Sequence, residues 1–165
     1  MEVWPLVHPA FGGGRELAVR DAGAIPSPGG VMEDQARAQE AEDHLEEAAV
    51  TLRAAEELLL GDEPRSSIST SFLAMLHAAQ ALLLARGIRS RDWGEVMERF
   101  QVLTTSGLPV SPENRRALVI VAQLYRQVEL EESVEADSLT ARACLEDARR
   151  FVLEMRGLMG KRDPL

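Results

Sequence analysis

The stretch from Ser66 to Ala85, SSISTSFLAMLHAAQALLLA, constrains this chain more than any other feature. Ile68, Phe72, Leu73, Met75, Leu76, Ala79, Leu82 and Leu83 follow helical spacing, yet together they leave almost no side of the helix polar. Such a helix has little to offer water and is stable only when other amphipathic helices surround it. The pattern predicts it over about Pro64 to Arg86, with Asp62 near the N-cap, Pro64 in the first turn and Gly87 as its stop.

The rest of the chain supplies the surrounding helices. A first helix is expected from about Glu33 to Leu60, with Leu45, Ala48, Leu52, Ala55 and Leu59 on one face and Gly61 as C-cap. A shorter one is expected from Asp92 to about Thr104, carrying Trp93, Val96, Met97 and Phe100. After the break Ser106-Gly107-Leu108-Pro109, Ser111-Pro112-Glu113 opens a fourth helix. Here Ser is the N-cap, Pro the first helical residue and Glu favourable to the dipole. Leu118, Val121, Leu124 and Val128 form its stripe. An acidic connection from Glu129 to Asp137 leads to the last helix, whose face includes Leu145, Ala148, Val152, Met155 and Met159. Only 4% of residues are aromatic, so Leu, Ala, Val, Ile and Met must build the core, a palette that favours helices. Strand-like alternation is absent. The expected fold is all-α, an antiparallel up-and-down bundle of about five helices within residues 32–160.

Residues 1–31 read differently. Ten of them are Gly or Pro, including Gly12-Gly13-Gly14 and Pro26-Ser27-Pro28-Gly29-Gly30, which predicts a flexible or disordered tail. Met32 stands where the helical pattern begins, so the tail also fits an extended reading frame. Gly and Pro interrupt every apolar stretch before a signal-peptide core forms, and no uninterrupted apolar run reaches the roughly 18 residues of a membrane span. The single cysteine, Cys144, fits a reducing compartment and is expected to be buried and inert. These features predict a cytoplasmic protein.

The net charge is −9, and its placement matters more than its size. Between Met32 and Glu63 there are 11 acidic and two basic residues, which accounts for the entire excess, while the remainder is balanced. That charge argues against a generally basic nucleic-acid surface but leaves room for a local basic patch. Arg86, Arg89 and Arg91, followed by Trp93, are candidate RNA contacts through charge and stacking. A cluster of cations at a helix C-terminus explains them equally well. The acids Glu129, Glu131, Glu132, Glu135 and Asp137 lack the spacing and glycine of a calcium loop, and no metal site or cofactor is expected. His44, set among acids, is expected at the solvated surface.

Taken together, Phe72-Leu73-Ala74-Met75-Leu76-His77-Ala78-Ala79, then Ala81-Leu82-Leu83-Leu84 and Arg86-Gly87, resemble the second helix of HEPN domains, in particular that of the small stand-alone prokaryotic HEPN proteins. The break at Gly107-Leu108-Pro109, the arginine-bearing end of the fourth helix and the closing segment CLEDARRFVLEMR follow in the family's order. The resemblance spans about Glu42 to Leu158. It implies a homodimer and, in active members, a metal-independent endoribonuclease motif of Arg followed by His near the end of the fourth helix. There the arginine stabilises charge on the scissile phosphate, and the histidine carries a proton for attack by the 2′-hydroxyl. Arg126 matches that arginine.

No histidine follows Arg126, however, because the three histidines are His8, His44 and His77. Stand-alone relatives show Arg-x-x-Ala-Asp-Tyr here, and the tyrosine is missing too. The resemblance therefore implies a degenerate motif and a non-catalytic or weakly active protein acting through a partner, such as a minimal nucleotidyltransferase in a toxin–antitoxin or defence-type module. Two alternatives stand beside it. One is an active metal-independent endoribonuclease using Arg126 with His77 or Glu129 as helper. The other is a bundle that binds a nucleotide or small ligand. For each residue there is a plainer reading, in which Arg126 pairs with Glu129 along the helix and His77 is a hydrogen-bonded core residue.

Overall fold

The structure is a computed structural model that describes residues 28–131 and 135–160. It contains α1 (Pro28–Leu60), α2 (Pro64–Ala85), α3 (Trp93–Thr105), α4 (Pro112–Leu130) and α5 (Ser138–Met159), with no strand among the described residues. The molecule is all-α, as its periodicity predicts. Helix α1 begins at Pro28, ahead of the expected Glu33, because a proline lacks the N–H that the first turn leaves unpaired anyway and its φ suits that position. Residues 28–31 thus belong to the helix, and the rest of the expected tail lies outside the described residues. The other observed difference in extent is at α4, which runs on to Leu130, so Glu129 is helical rather than part of the acidic connection.

Helix α2 is the centre, and α1, α3, α4 and α5 all pack on it. Leu82, Leu83 and Leu84 are each fully buried in succession, as are Met75 and Leu76. Three consecutive helical residues sweep about 200° of the helix surface, so neighbours on several sides are required. By length and composition α2 is apolar enough to cross a membrane, although its uninterrupted apolar runs are short. Its most apolar window is 72% buried inside the protein, which identifies it as the bundle's core helix.

Three of the four turns are built alike. After α2 the Gly87 N–H bonds the Leu84 carbonyl at 2.9 Å and the Ile88 N–H bonds that of Leu83 at 2.8 Å, with Gly87 at φ 79°. This is a Schellman stop, in which a left-handed residue lets the chain turn and satisfies the last carbonyls. Gly107, at φ 112°, does the same after α3, where the Leu108 N–H bonds the Leu103 carbonyl. After α1 the left-handed residue is Asp62 (φ 62°), not Gly61, and the Glu63 N–H bonds the Leu58 carbonyl at 2.9 Å. Asp62 therefore ends α1 instead of opening α2, whose N-cap is Glu63 without a side-chain cap bond. Elsewhere Asp92, Ser111 and Asp137 cap α3, α4 and α5 by accepting from the N–H three residues on. Glu154 of α5 braces the start of α4, accepting from Ser111 N (2.8 Å), Ser111 Oγ (3.0 Å) and Asn114 Nδ2 (2.6 Å).

The core and turn assignments can be checked by denaturant unfolding. Leu83→Ala should cost about 2–5 kcal/mol through the cavity it opens. Gly87→Ala should cost about 1 kcal/mol, because a Cβ is strained at that φ, while Asp62→Gly should stabilise by up to about 1 kcal/mol. The exposed Leu153→Ala should stay within about 0.5 kcal/mol of the parent.

Candidate functional site

The segment bearing Arg126 lies along α2, and α4 runs antiparallel to it. Arg65 donates to the backbone carbonyls of Val128 and, at 3.4 Å, Glu131. Ser69 Oγ donates to Glu129 Oε1 at 2.5 Å, and the rings of Phe72 and Tyr125 sit 4.8 Å apart. These contacts fix which faces of α4 are covered: Val128 is buried, whereas Arg126, Gln127 and Leu130 face solvent. The described partner of the Glu129 carboxylate is thus a serine of α2. A bond that short to a carboxylate is a charge-assisted one. Ser69, which sequence reasoning does not single out, joins the motif in this way. The serine-rich opening of α2 is the available signal.

His77 lies elsewhere. Pairing of Tyr125 with Phe72 and of Glu129 with Ser69 puts Arg126 near the level of Ser71, so His77 is offset by about 9 Å along α2 at 1.5 Å per residue. Its half-buried ring is taken up by α1 and α3. His77 Nδ1 and His44 Nδ1 are 3.3 Å apart, so one ring donates and the other accepts, and the Trp93 ring meets His77 edge-on at 5.2 Å. Burial, and then the neighbouring His44, hold His77 below the ordinary histidine value, against a smaller opposing pull from Glu47. His44 is accordingly no solvated surface group. It follows Ala41 and precedes Ala48, both fully buried, by helical steps, and that spacing is the signal for its inward position. The structure does not bring His77, Arg126 and Glu129 together.

The three candidate RNA-binding arginines have separate engagements. Arg86 donates to the Leu158 carbonyl at 3.5 Å, Arg89 pairs with Glu40 at 2.9 Å, and Arg91 lies 3.7 Å from Glu95, which also holds Arg99. Trp93 turns toward His77 and is 41% exposed. Among the described residues no group of three His, Cys, Asp or Glu side chains converges as a metal site. Cys144 is buried, and burial pushes its thiol up to about 11, the behaviour of an unreactive core group. An open groove of about 610 Å³ lies at the opposite end of the bundle from the α2–α3 turn, lined by residues 62–66 and 135–137.

Burial of His77 has a defined pH signature. Because folding lowers the His77 value, the unfolded chain takes up that proton more readily, so the contribution of His77 is complete above the ordinary histidine range and is lost as pH falls below about 6.5. Stability measured by thermal unfolding between pH 7.5 and 5 (roughly the histidine range) should therefore decline on acidification. His77→Gln should flatten that decline.

The family model described as HEPN domain matches residues 41–158, from the middle of α1 to the end of α5. A search of curated proteins finds no match. Among solved structures, the crystal structure of TT1696 from Thermus thermophilus is similar in fold, with a TM-score of 0.63 and 19% identity. The match covers 72% of this chain and 98% of that one. With the motif region, the bundle and the family match in agreement, the chain belongs to the HEPN domain family.

Proposed function

We propose that this protein is a HEPN scaffold whose ribonuclease motif is degenerate and that it works by binding a protein partner. One observation carries the reading: the two described histidines are bonded to each other about 9 Å along α2 from the level of Arg126. Cleavage by the 2′-hydroxyl route needs a proton carrier beside the phosphate-binding arginine, and histidine is the side chain suited to that at neutral pH. Glu129, the nearest alternative, accepts a hydrogen bond from Ser69 and lies on the same helix as Arg126. A minimal nucleotidyltransferase, in a toxin–antitoxin or defence-type module of the cytoplasm, is the partner that the family relationship suggests, and a homodimer is the assembly it suggests. The exposed acids of α1, Glu42, Asp43, Glu46, Glu47, Glu56 and Glu57, favour a partner with a basic surface.

A second reading is favoured by the exposure of Arg126. A solvent-facing arginine at the motif position suits an RNA phosphate, as a metal-independent endoribonuclease would use it.

The two readings separate in one assay. Purified protein is incubated with labelled single-stranded RNA and with tRNA in EDTA, beside Arg126→Ala. No cleavage by either protein is expected. Cleavage by the parent that disappears in Arg126→Ala would overturn the scaffold reading and establish the ribonuclease.

A further inference from the structure

The three most exposed large apolar side chains among the described residues are Leu60 (82%), Leu139 (80%) and Leu130 (75%). They belong to three different helices, α1, α5 and α4, yet all fall at one end of the bundle. Leu60 ends α1 just before the turn into α2, Leu130 ends α4, and Leu139 lies in the first turn of α5. Arg65, at the start of α2, ties that end together by donating to the carbonyls of Val128 and Glu131. At the same end opens the groove of about 610 Å³, lined by the α1–α2 turn and the start of α2 (Asp62, Glu63, Arg65) and by Glu135 and Asp137 before α5, among others.

The sign of the groove decides what it can hold. Two helices, α2 and α5, open there, and each N-terminus contributes roughly half a positive charge. With Arg65 that makes about two positive charges against the four carboxylates that line it. The groove is net negative, and Glu131 adds a further acid beside it. An anionic ligand such as RNA is disfavoured. A cationic side chain entering the groove, with apolar neighbours to cover the leucines, would satisfy both features together.

We infer that this end of the bundle is a docking surface for an amphipathic cationic segment of a protein partner, with Lys or Arg seated among Asp62, Glu63, Glu135 and Asp137 and its apolar side on Leu60, Leu130 and Leu139. The inference rests on the reading that the protein acts through a partner, and its test does not involve RNA. Loss of one is therefore seen separately from loss of the other.

Binding of a short amphipathic Lys/Leu helical peptide to the full chain is measured by calorimetry or fluorescence anisotropy. A Glu/Leu peptide and a Lys/Ser peptide serve as probes that lack the charge or the apolar side. The Lys/Leu peptide should bind best. Leu60→Ser/Leu130→Ser/Leu139→Ser and Glu63→Gln/Glu135→Gln should each weaken it by about tenfold or more. Glu42→Gln/Glu46→Gln, an equal charge change on the outer face of α1, should alter it by less than about threefold. All the substituted side chains are exposed, so the fold is retained, which circular dichroism checks. Equal weakening by the groove and α1 variants would mean general attraction to an acidic protein and would overturn the proposal. So would an absence of any effect from the groove variants. Sedimentation completes the test. A parent dimer converted to monomer by the triple Leu→Ser variant would assign the leucines to a second copy of this chain and would also overturn it.

Discussion

Burial of α2 governs everything else in this molecule. A helix whose consecutive residues Leu82, Leu83 and Leu84 all lack solvent contact must be enclosed, and four helices are recruited to enclose it. Their amphipathic stripes are single faces because each needs to contact only the centre and its immediate neighbours. Ala41, Ala48 and Ala55 of α1 are fully or almost fully buried, so the backbone of α1 approaches α2 closely, while its acids stay exposed or half-exposed, Glu40 pairing with Arg89 and Glu56 with Arg149 of α5. The concentration of negative charge in α1 thereby leaves the core undisturbed, since every one of those carboxylates keeps access to water.

Enclosing α2 makes each polar group on it consequential, and the groups differ in how they are met. Ser67 donates to the Ala55 carbonyl of α1 at 2.8 Å, a buried bond that fixes the register of α1 on α2 at one end. His44 and His77 fix it toward the other. Two such links, ten residues apart along α2, allow only one axial placement of the two helices. Ser71 Oγ and Gln80 Oε1 are buried without a hydrogen-bond partner among the described residues, each a cost of about 1–3 kcal/mol. Specific polar pairing between α1 and α2 and uncompensated polar burial therefore occur on the same helix.

The fold is legible in the sequence because it rests on periodicity. The apolar spacing of α2, the Ser111-Pro112 entry to α4 and the Gly87 and Gly107 stops each have a local physical cause. Two local departures also have physical causes. Gly61 invites the C-cap assignment because glycine is the usual left-handed residue, but the turn into α2 needs that conformation one residue later, and aspartate can adopt it. The acidic neighbours of His44 suggest a solvated residue, although helical spacing with Ala41 and Ala48 places it inward. The candidate site is less legible, since it depends on which faces meet. The motif points to Arg126 and Glu129, but Ser69 and the partnership of His44 with His77 arise from contacts 60 and 33 residues apart in sequence.

The same register that stabilises the bundle keeps the chemistry apart. Bringing His77 to the level of Arg126 would require sliding α2 by nearly two turns along α4. That movement would break the Ser67–Ala55 and Ser69–Glu129 bonds and part Phe72 from Tyr125. It would also take the His77 ring from His44 and Trp93. Interiors this closely packed are not continuously deformable, so the separation belongs to the fold and is not a matter of rotamer choice. Within one chain, then, the packing holds His77 away from the end of α4. What the scaffold leaves outward is Arg126 on one face and, at one end of the bundle, the acid-lined groove and the exposed Leu60, Leu130 and Leu139.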